Sequence, residues 1–495
     1  MVDNPHIQAL TWENLQWMFT SFAMANWHPL TWLSHAIDFA LFGLNPWGHH
    51  LTSLVIHCLN TSLFFLLALV LLTLNQSCRA AGQWTTLTAL TTVNYRTGLT
   101  ASIAALLFGI HPQHVESVVW IAERKDVLFL LLVLLTLLSY LFYTLTTKRK
   151  WLWYGLALFS FMLALLSKPM AVTVPIILIL LDIYPLHRTA LTIPNHSISY
   201  QQLLWEKLPF LALTLISIIL TMLAQQSAHA IANLEQLSLS MRLFNAFNSI
   251  IWYISKFIFP IQLAPFYPFP DYDSLASILI PLLAVILITF VASYGWQRKQ
   301  YYWLIGWLFY LFTLMPVLGL IQVGSQAAAD RYAYLPTLPF YLLISTGVVS
   351  LFYSEHFSSL PKLAKTIKLA IIACGILITG MLLTATQKQT LVWRDDVTLW
   401  TYTVSRTPNS VIPREQLAHA YFRAGDYQAA IDHYGLIKDL KPSVYANIAL
   451  AYLHLGSLSA ALATYQYIES QHLETGQDKS IVYYNLFSTR SDRPS

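Results

Sequence analysis

The chain has 495 residues, of which 56% are hydrophobic and only 10% are charged. This composition is typical of a polytopic membrane protein and excludes a disordered or fibrous chain. The net charge of +5 comes from scattered Lys and Arg beside apolar runs, so it does not indicate a nucleic-acid partner, and the three cysteines form neither a disulfide framework nor a zinc motif. The start, M-V-D-N-P-H, lacks a basic segment and an apolar core, and therefore predicts no signal peptide.

Residues 1–50 contain no Lys or Arg and are rich in tryptophan and histidine. Tryptophan favours the membrane interface, so we expect one or two helices that lie on the membrane. The second of them should begin at Asn26-Trp27-His28-Pro29. Two interpretations stay open for this segment: amphipathic anchoring, or a role in a site with His28 and His50 as substrate-binding candidates.

Eleven apolar runs follow, and most approach the ~20 residues that a membrane-spanning helix needs. They cover residues 51–74, 98–110, 127–145, 151–167, 169–186, 208–225, 246–262, 277–296, 301–323, 334–353 and 367–385. The run at 246–262 is the weakest, because it carries Lys256 and ends at Pro260. We therefore predict an all-α protein with about 10–11 spans over residues 51–386.

Basic residues in short loops mark the cytoplasmic side of a membrane protein. Here they are Lys148, Arg149, Lys150, His187, Arg188, Arg298, Lys299, Lys362, Lys365 and Lys368. Alternation from these loops places residues 1–50, 111–126 and 226–276, the turn at Lys168 and the loop 319–333 on the outer side. The scheme requires that 246–262 is re-entrant or interfacial.

The connector 111–126 reads H-P-Q-H-V-E-S-V-V-W-I-A-E-R-K-D and lies between two apolar runs. Ionisable groups near a bilayer are costly, so such a cluster favours a functional site. The alternative is that these charges cap helices and set topology. The pattern His-x-x-His-x-Glu at 111–116 could also bind a divalent metal, although that spacing is weakly specific.

Arg124, Lys125, Lys168 and Arg331 lie on the predicted outer side, where cations are usually scarce. Cations held there could bind an anionic ligand, and a lipid phosphate is the natural candidate. The alternative is local ion pairing, of Arg124 with Glu123 or Asp126 and of Arg331 with Asp330.

After residue 386 the apolar runs stop, and a repeat becomes legible from residue 417. The spacing of Leu417, Ala418, Tyr421, Gly425, Tyr427, Ala430, Tyr434 and Pro442 is typical of tetratricopeptide repeats. A second copy follows 31 residues later, 395–407 reads as the end of an earlier repeat, and 481–487 as the start of a third. Residues 387–495 are therefore predicted to be a repeat solenoid, either a protein-binding surface or a packing cap.

The ordered motifs resemble a known family. N-W-H-P-L-T-W-L-S-H, G-L-N-P-W-G-H-H, the connector, L-L-S-K-P-M-A-V-T-V-P and D-R-Y-A-Y-L-P, followed by tetratricopeptide repeats, are similar to the transmembrane-and-tetratricopeptide-repeat O-mannosyltransferases and their bacterial relatives. That family belongs to the GT-C glycosyltransferase superfamily. The resemblance implies a bacterial inner-membrane enzyme with its site on the periplasmic side, which transfers a sugar, typically mannose, from a polyprenyl-phosphate carrier to a protein hydroxyl.

This chemistry needs a carboxylate base and cations that stabilise the leaving phosphate. The candidates for catalysis are Glu116, Asp126, His111 and His114. The candidates for substrate binding are Arg124, Lys168, Asp330 and Arg331, with His28 and His50.

One departure from the family concerns its acidic motif, which precedes D-N-P-H-I-Q in the relatives. Here only Asp3 remains of that region, so the superfamily's catalytic aspartate has no matching position. We therefore also consider an impaired enzyme or a non-enzymatic scaffold that recruits a protein through its repeats. A transporter is a third possibility, but Asp182 is the only carboxylate near a span that would suit it.

Overall fold

The computed structural model describes residues 4–81, 93–189, 191, 198–227, 238–270, 275–322, 324–354, 361–438 and 440–470. Within these ranges the chain is helical and contains no β-strand. It divides into two units: residues 1–263 with 269–390, and residues 264–268 with 391–495.

The first unit contains fourteen α-helices within the described residues, most of which fall on the apolar runs. They are α1 (Trp12–Thr20), α2 (Pro29–Phe42), α3 (Pro46–Ala81), α4 (Tyr95–Gly109), α5 (Val115–Val119), α6 (Arg124–Leu145), α7 (Lys150–Ser167), α8 (Val174–Ile183), α9 (Tyr200–Ser227), α10 (Leu239–Ile258), α11 (Leu275–Gln297), α12 (Tyr301–Leu314), α13 (Leu338–Phe352) and α14 (Pro361–Val392). The predicted start of a helix at Pro29 is confirmed, and His28 is its N-cap residue.

Six helices of the described chain are long and apolar enough to cross a membrane. They are Pro46–Asn75, Ile121–Leu145, Lys150–Ser167, Tyr200–Ser227, Leu275–Gln297 and Pro361–Val392, and three shorter apolar helices accompany them. This number is smaller than the predicted 10–11, because several apolar runs are not single long helices. The run at 301–323, for example, leaves the α-helix at Leu314 and continues as a 3-10 turn at Met315–Val317.

Burial differs sharply among the six helices. The segment that contains α6 is the most buried, and α6 packs against α3 and α7 around a core that includes Phe108 and Phe161. In contrast, the apolar stretch of α14 has no buried side chain, and Ile376 is 70% exposed. A 32-residue apolar helix with that exposure would be unfavourable in water but matches a lipid environment. The long apolar helices are therefore consistent with an integral membrane protein.

Helix α10 differs from the spans, as its sequence predicts. Its buried side chains recur every three to four residues along one face, from Arg242 and Ser249 to Tyr253 and Phe257. It is not among the candidate spans. This one-sided burial is typical of a helix that packs on the protein by one face only.

The second unit contains paired helices: α15 (Asp396–Arg406), α16 (Val411–Ala424), α17 (Tyr427–Gly435), α18 (Pro442–His454) and α19 (Leu458–Ser470). Gly425 follows the last residue of α16, and Gly456 lies in the turn after α18. Their φ values are +83° and +74°, a conformation that glycine adopts without steric cost. The buried ring of Tyr434 fills the core between the first pair and its neighbour. The unit thus repeats one helical hairpin at the predicted 31-residue interval, while the predicted third repeat at 481–487 lies outside the described residues.

Candidate functional site

The geometry of the connector is set by the start of α6. The 3-10 turn Ile121–Glu123 leads directly into α6 at Arg124. Successive residues of a helix point about 100° apart, so Arg124 must face away from its neighbours, whereas Glu123 and Asp126, three positions apart, share a side. The adjacent charges of the motif consequently belong to two different sites.

We call the first site the carboxylate–cation cluster, and it consists of Glu116, Glu123, Lys125, Asp126, Lys168 and Arg331. Arg331 links two of its carboxylates. Its backbone N–H donates to Oε2 of Glu116 at 2.8 Å and its Nη1 donates to Oε1 at 2.5 Å. Its Nε lies 3.5 Å from Oε1 of Glu123, and Lys125 Nζ lies 3.1 Å from the same oxygen.

Lys168 pairs with the third carboxylate of the cluster, Asp126. Its ammonium forms an ion pair with Oδ1 of Asp126, and Ser117 Oγ donates to Oδ2 at 3.0 Å. Lys168 lies in the turn between α7 and the 3-10 segment Pro169–Thr173. Three stretches that are far apart in sequence, around residues 120, 168 and 331, therefore meet at one place.

Aromatic rings cover the cations of the cluster. The Arg331 guanidinium lies 4.9 Å from the ring centre of Tyr332 and 5.4 Å from that of Trp120, and the Lys168 ammonium lies 5.5 Å from the Tyr332 ring. Cations over aromatic faces are held in place without an additional negative charge.

One oxygen of the cluster has no hydrogen-bond partner among the described residues: Oε2 of Glu123. Glu123 is only 3% exposed, so this oxygen is shielded from bulk water. An unpaired buried carboxylate oxygen is costly, and such groups call for an explanation. By contrast, both oxygens of Glu116 and of Asp126 are engaged. Of the three carboxylates in the cluster, Glu123 is thus the one with an oxygen that no described residue bonds.

Burial also perturbs the ionisation of the Glu116–Arg331 pair. It raises the pKa of Glu116 to about 7, and the opposing charge of Arg331 limits that rise. Burial disfavours the charge of Arg331 too, but Glu116, Tyr332 and Glu123 together raise the pKa of Arg331 well above its usual value. The guanidinium therefore keeps its charge whichever form Glu116 adopts.

Arg124 lies in a second site, between α2 and α3. It is fully buried, and its Nη2 lies 2.7 Å from Oδ2 of Asp38 and donates to the backbone oxygen of His49 at 2.6 Å. Ser34 and Ser53 accept its remaining hydrogen bonds. The local ion pairs suggested by sequence are therefore wrong: Arg124 pairs with Asp38, not with Glu123 or Asp126, and Arg331 pairs with Glu116.

His111 and His114 do not contact the carboxylates. His111 Nε2 bonds the backbone oxygen of Phe257 at 3.0 Å, and His114 Nδ1 bonds that of Phe108 at 2.9 Å. Both rings pack in an aromatic cluster with Tyr341. Burial lowers the pKa of His111 to about 4 and that of His114 well below its usual value. Both are therefore neutral, and their hydrogen bonds hold the connector against the backbone at Phe257 and Phe108.

The other sequence candidates are dispersed. His28 is buried, its ring lies 4.8 Å from Trp32, and burial, followed by the charge of Lys125, lowers its pKa to about 3. His50 is exposed on α3. Asp330 is buried next to Arg331 in the chain.

The His-x-x-His-x-Glu pattern does not bring its ligand atoms together. Among the described residues, the histidine and carboxylate side chains close enough to hold a metal ion are instead His35, Asp38 and His49. Sequence analysis missed this group, although the His35-x-x-Asp38 spacing on a predicted helix was a visible signal.

An apolar cavity of about 280 Å³ lies between α3, α6, α8, α12 and α13. Phe64, Leu137, Leu181 and Phe309 line it. A separate buried ionic network joins Tyr140, Asp182, Arg188, Glu206 and Lys207. Asp182 is fully paired in that network, which leaves it little capacity to carry a transported ion.

No family model, curated protein or solved structure matches this chain.

Proposed function

We propose that the protein is a membrane glycosyltransferase of GT-C type that transfers a sugar, mannose by family resemblance, from a polyprenyl-phosphate donor to a protein hydroxyl. The observation that carries this proposal is the convergence of Glu116, Glu123, Asp126, Lys168 and Arg331 in one buried cluster. These residues come from three of the motifs on which the resemblance rests. The transfer takes place on the periplasmic side of a bacterial inner membrane, in line with the distribution of basic loops.

The cluster supplies both parts of the chemistry. Oε2 of Glu123 takes the proton of the acceptor hydroxyl as the oxygen bonds to the anomeric carbon of the sugar. The bond from that carbon to the phosphate oxygen breaks, and the phosphate keeps the electron pair. Lys168 and Arg331 stabilise the phosphate charge as it develops, while Glu116 holds Arg331 in position.

The structure also contains an apolar cavity that suits the donor's hydrocarbon chain. The apolar cavity between α3, α6, α8, α12 and α13 offers a lining without charged side chains. Phe64 on its wall also contacts Tyr341, which lies beside His114 of the connector. The cavity can therefore bury an apolar segment of an isoprenoid chain at low cost.

Binding of polyprenyl phosphate tests the proposal. The purified full-length protein should prefer polyprenyl phosphate over the uncharged polyprenol at least tenfold. The double variant Lys168→Gln with Asp126→Asn removes the cation without leaving a buried charge unpaired. It should show a several-fold smaller preference for the phosphate, because Arg331 remains in the cluster. A wild-type protein with no preference for the phosphate would contradict the proposal.

A second candidate function follows from the C-terminal helical hairpins. Their repeated geometry fits tetratricopeptide repeats, which present a surface for a protein or peptide. If the protein is a scaffold rather than an enzyme, deletion of 391–495 abolishes its cellular effect and cluster variants leave it intact. If it is an enzyme, the cluster variants abolish the effect as well.

A further inference from the structure

The histidine and carboxylate group between α2 and α3 is not used by the proposed transfer. His35 and Asp38 lie three positions apart and therefore on one face of α2. His49 stands near the start of α3, opposite that face. All three side chains are buried, with exposures of 2%, 2% and 6%.

Three electron-pair donors converge in this group. Nδ1 of His35 and Nδ1 of His49 have no hydrogen-bond partner among the described residues, whereas Oδ2 of Asp38 has the guanidinium of Arg124 as its partner. Each buried nitrogen without a partner costs about 1–3 kcal/mol. A cation would satisfy both nitrogens at once.

The tautomer of His49 also fits a ligand role. Its Nε2 lies 3.1 Å from the backbone oxygen of Gly43, which accepts only if Nε2 carries the hydrogen. Nδ1 is then the unprotonated nitrogen, and it points to Asp38. A ring N–H bonded to a backbone carbonyl is the usual way in which proteins orient a metal-binding histidine.

The distances are close to those of a metal site. His49 Nδ1 lies 3.4 Å from Asp38 Oδ2, and one ligand atom from each of the three residues lies within 4.8 Å of the others. Tetrahedral zinc, with bonds of about 2.0–2.1 Å, separates its ligand atoms by about 3.4 Å. One pair therefore already has the required spacing, and the third ligand atom lies within 4.8 Å of both.

We propose that His35, Asp38 and His49 form a binding site for a divalent transition-metal ion of the zinc type. Two imidazoles and one carboxylate favour zinc over magnesium or calcium, and three protein ligands leave a fourth position for water. The ion would join α2 to α3.

Arg124 is the outer partner of this site. Its Nη2 lies 2.7 Å from Oδ2 of Asp38, so the oxygen shares its lone pairs between the guanidinium and the metal. The guanidinium charge opposes cation binding, and Asp38 offsets it. Because Arg124 begins α6, the metal site also orders the helix that carries Lys125 and Asp126 of the carboxylate–cation cluster.

Metal content measures the proposal directly and independently of transfer activity. The full-length protein, purified without a histidine tag and stripped with a chelator, is titrated with zinc or cobalt and washed. The wild type should retain one equivalent more than His35→Gln or His49→Gln, and cobalt should give the visible absorption of a tetrahedral site. The variant His50→Gln, at an exposed neighbour, should behave as the wild type.

Asp38→Asn should also lower zinc retention, but it leaves the buried Arg124 without its partner. His35→Gln keeps the Asp38–Arg124 pair and therefore separates loss of the site from loss of the fold: it should lower zinc retention while elution in size-exclusion chromatography is unchanged. Equal zinc retention by the wild type and all three ligand variants would overturn the proposal. Displacement of the bound zinc by magnesium at a similar concentration would also overturn it.

Discussion

Arg331 holds Glu116 at two points: its backbone N–H donates to one carboxylate oxygen at 2.8 Å and its guanidinium to the other at 2.5 Å. The two residues are 215 positions apart in the chain. A two-point contact fixes both the orientation of the carboxylate and the path of the loop that carries Arg331. It therefore ties the connector to the segment before α13.

Removal of Arg331 should strongly destabilise the protein. Arg331→Gln leaves Glu116 and Glu123 buried without their shared cation, which should cost about 3–5 kcal/mol. Adding Glu116→Gln should recover part of this loss, because one buried charge disappears. Thermal unfolding in detergent measures both steps. The exposed pair Arg423–Asp396 is the control, and Asp396→Asn should change stability by about 0–1 kcal/mol.

Stability should fall as the pH drops from about 6.5 to about 4, because His111 must stay neutral in the folded protein. Burial lowers its pKa from 6.5 to about 4, so in this interval the unfolded chain binds more protons. One such histidine lowers the free energy of unfolding at pH 5 by about 2 kcal/mol relative to neutral pH. His111→Phe keeps the ring that stacks on Phe257 and should lessen the slope of the pH profile of unfolding, while the buried His28 and His114 still contribute to it. If the variant's stability depends on pH as steeply as that of the wild type, this would count against the burial of a neutral His111, even if the two proteins differ in stability at pH 8.

Cys374 offers a test of the membrane assignment. It is an exposed free cysteine in the apolar stretch of α14. In a protein whose other cysteines are replaced by serine, Cys374 should react with a lipid-soluble maleimide in open membrane fragments and not with a charged one. A cysteine at the exposed position Lys362, near the start of α14, should react with both. Rapid reaction of Cys374 with the charged reagent would show that α14 lies in water.

Gly425 and Gly435 form a matched pair in the C-terminal hairpins. Gly425 has φ of +83°, so Gly425→Ala should destabilise the unit by about 1–2 kcal/mol. Gly435 ends α17 with ordinary helical geometry and open space around it, so Gly435→Ala should be neutral or slightly stabilising. Limited proteolysis of the full-length protein over a temperature series measures both. Equal effects of the two substitutions would mean that the turn at Gly425 is not formed as described.

The helices were predictable because apolar runs and capping residues are local signals. Pro29 begins a helix as its sequence indicates, and the one-sided burial of α10 follows from its pattern. The lengths of the helices were harder to predict from the sequence. An apolar run continues through 3-10 turns such as Met315–Val317, so counting runs overestimated the number of full spans.

The site was predictable as a set of motifs but not as a set of contacts. Glu116, Asp126, Lys168 and Arg331 meet as expected of one site. The pairing of Arg124 with Asp38 could not be deduced, because it depends on how α2, α3 and α6 pack. Glu123 was treated only as an ion-pair partner, and its unpaired oxygen becomes visible only when the partners of its neighbours are known.

Transfer of a labelled sugar from polyprenyl phosphate mannose to protein, in membranes that contain the full-length chain, tests the central claim most directly. The wild type and Glu469→Gln, which changes an exposed carboxylate of α19, should transfer the label at the same rate. Glu123→Gln should lower the turnover number about 10²–10⁴-fold with little change in the donor KM, as expected when a general base is lost. Full transfer by Glu123→Gln, or none by the wild type above empty membranes, would contradict the account.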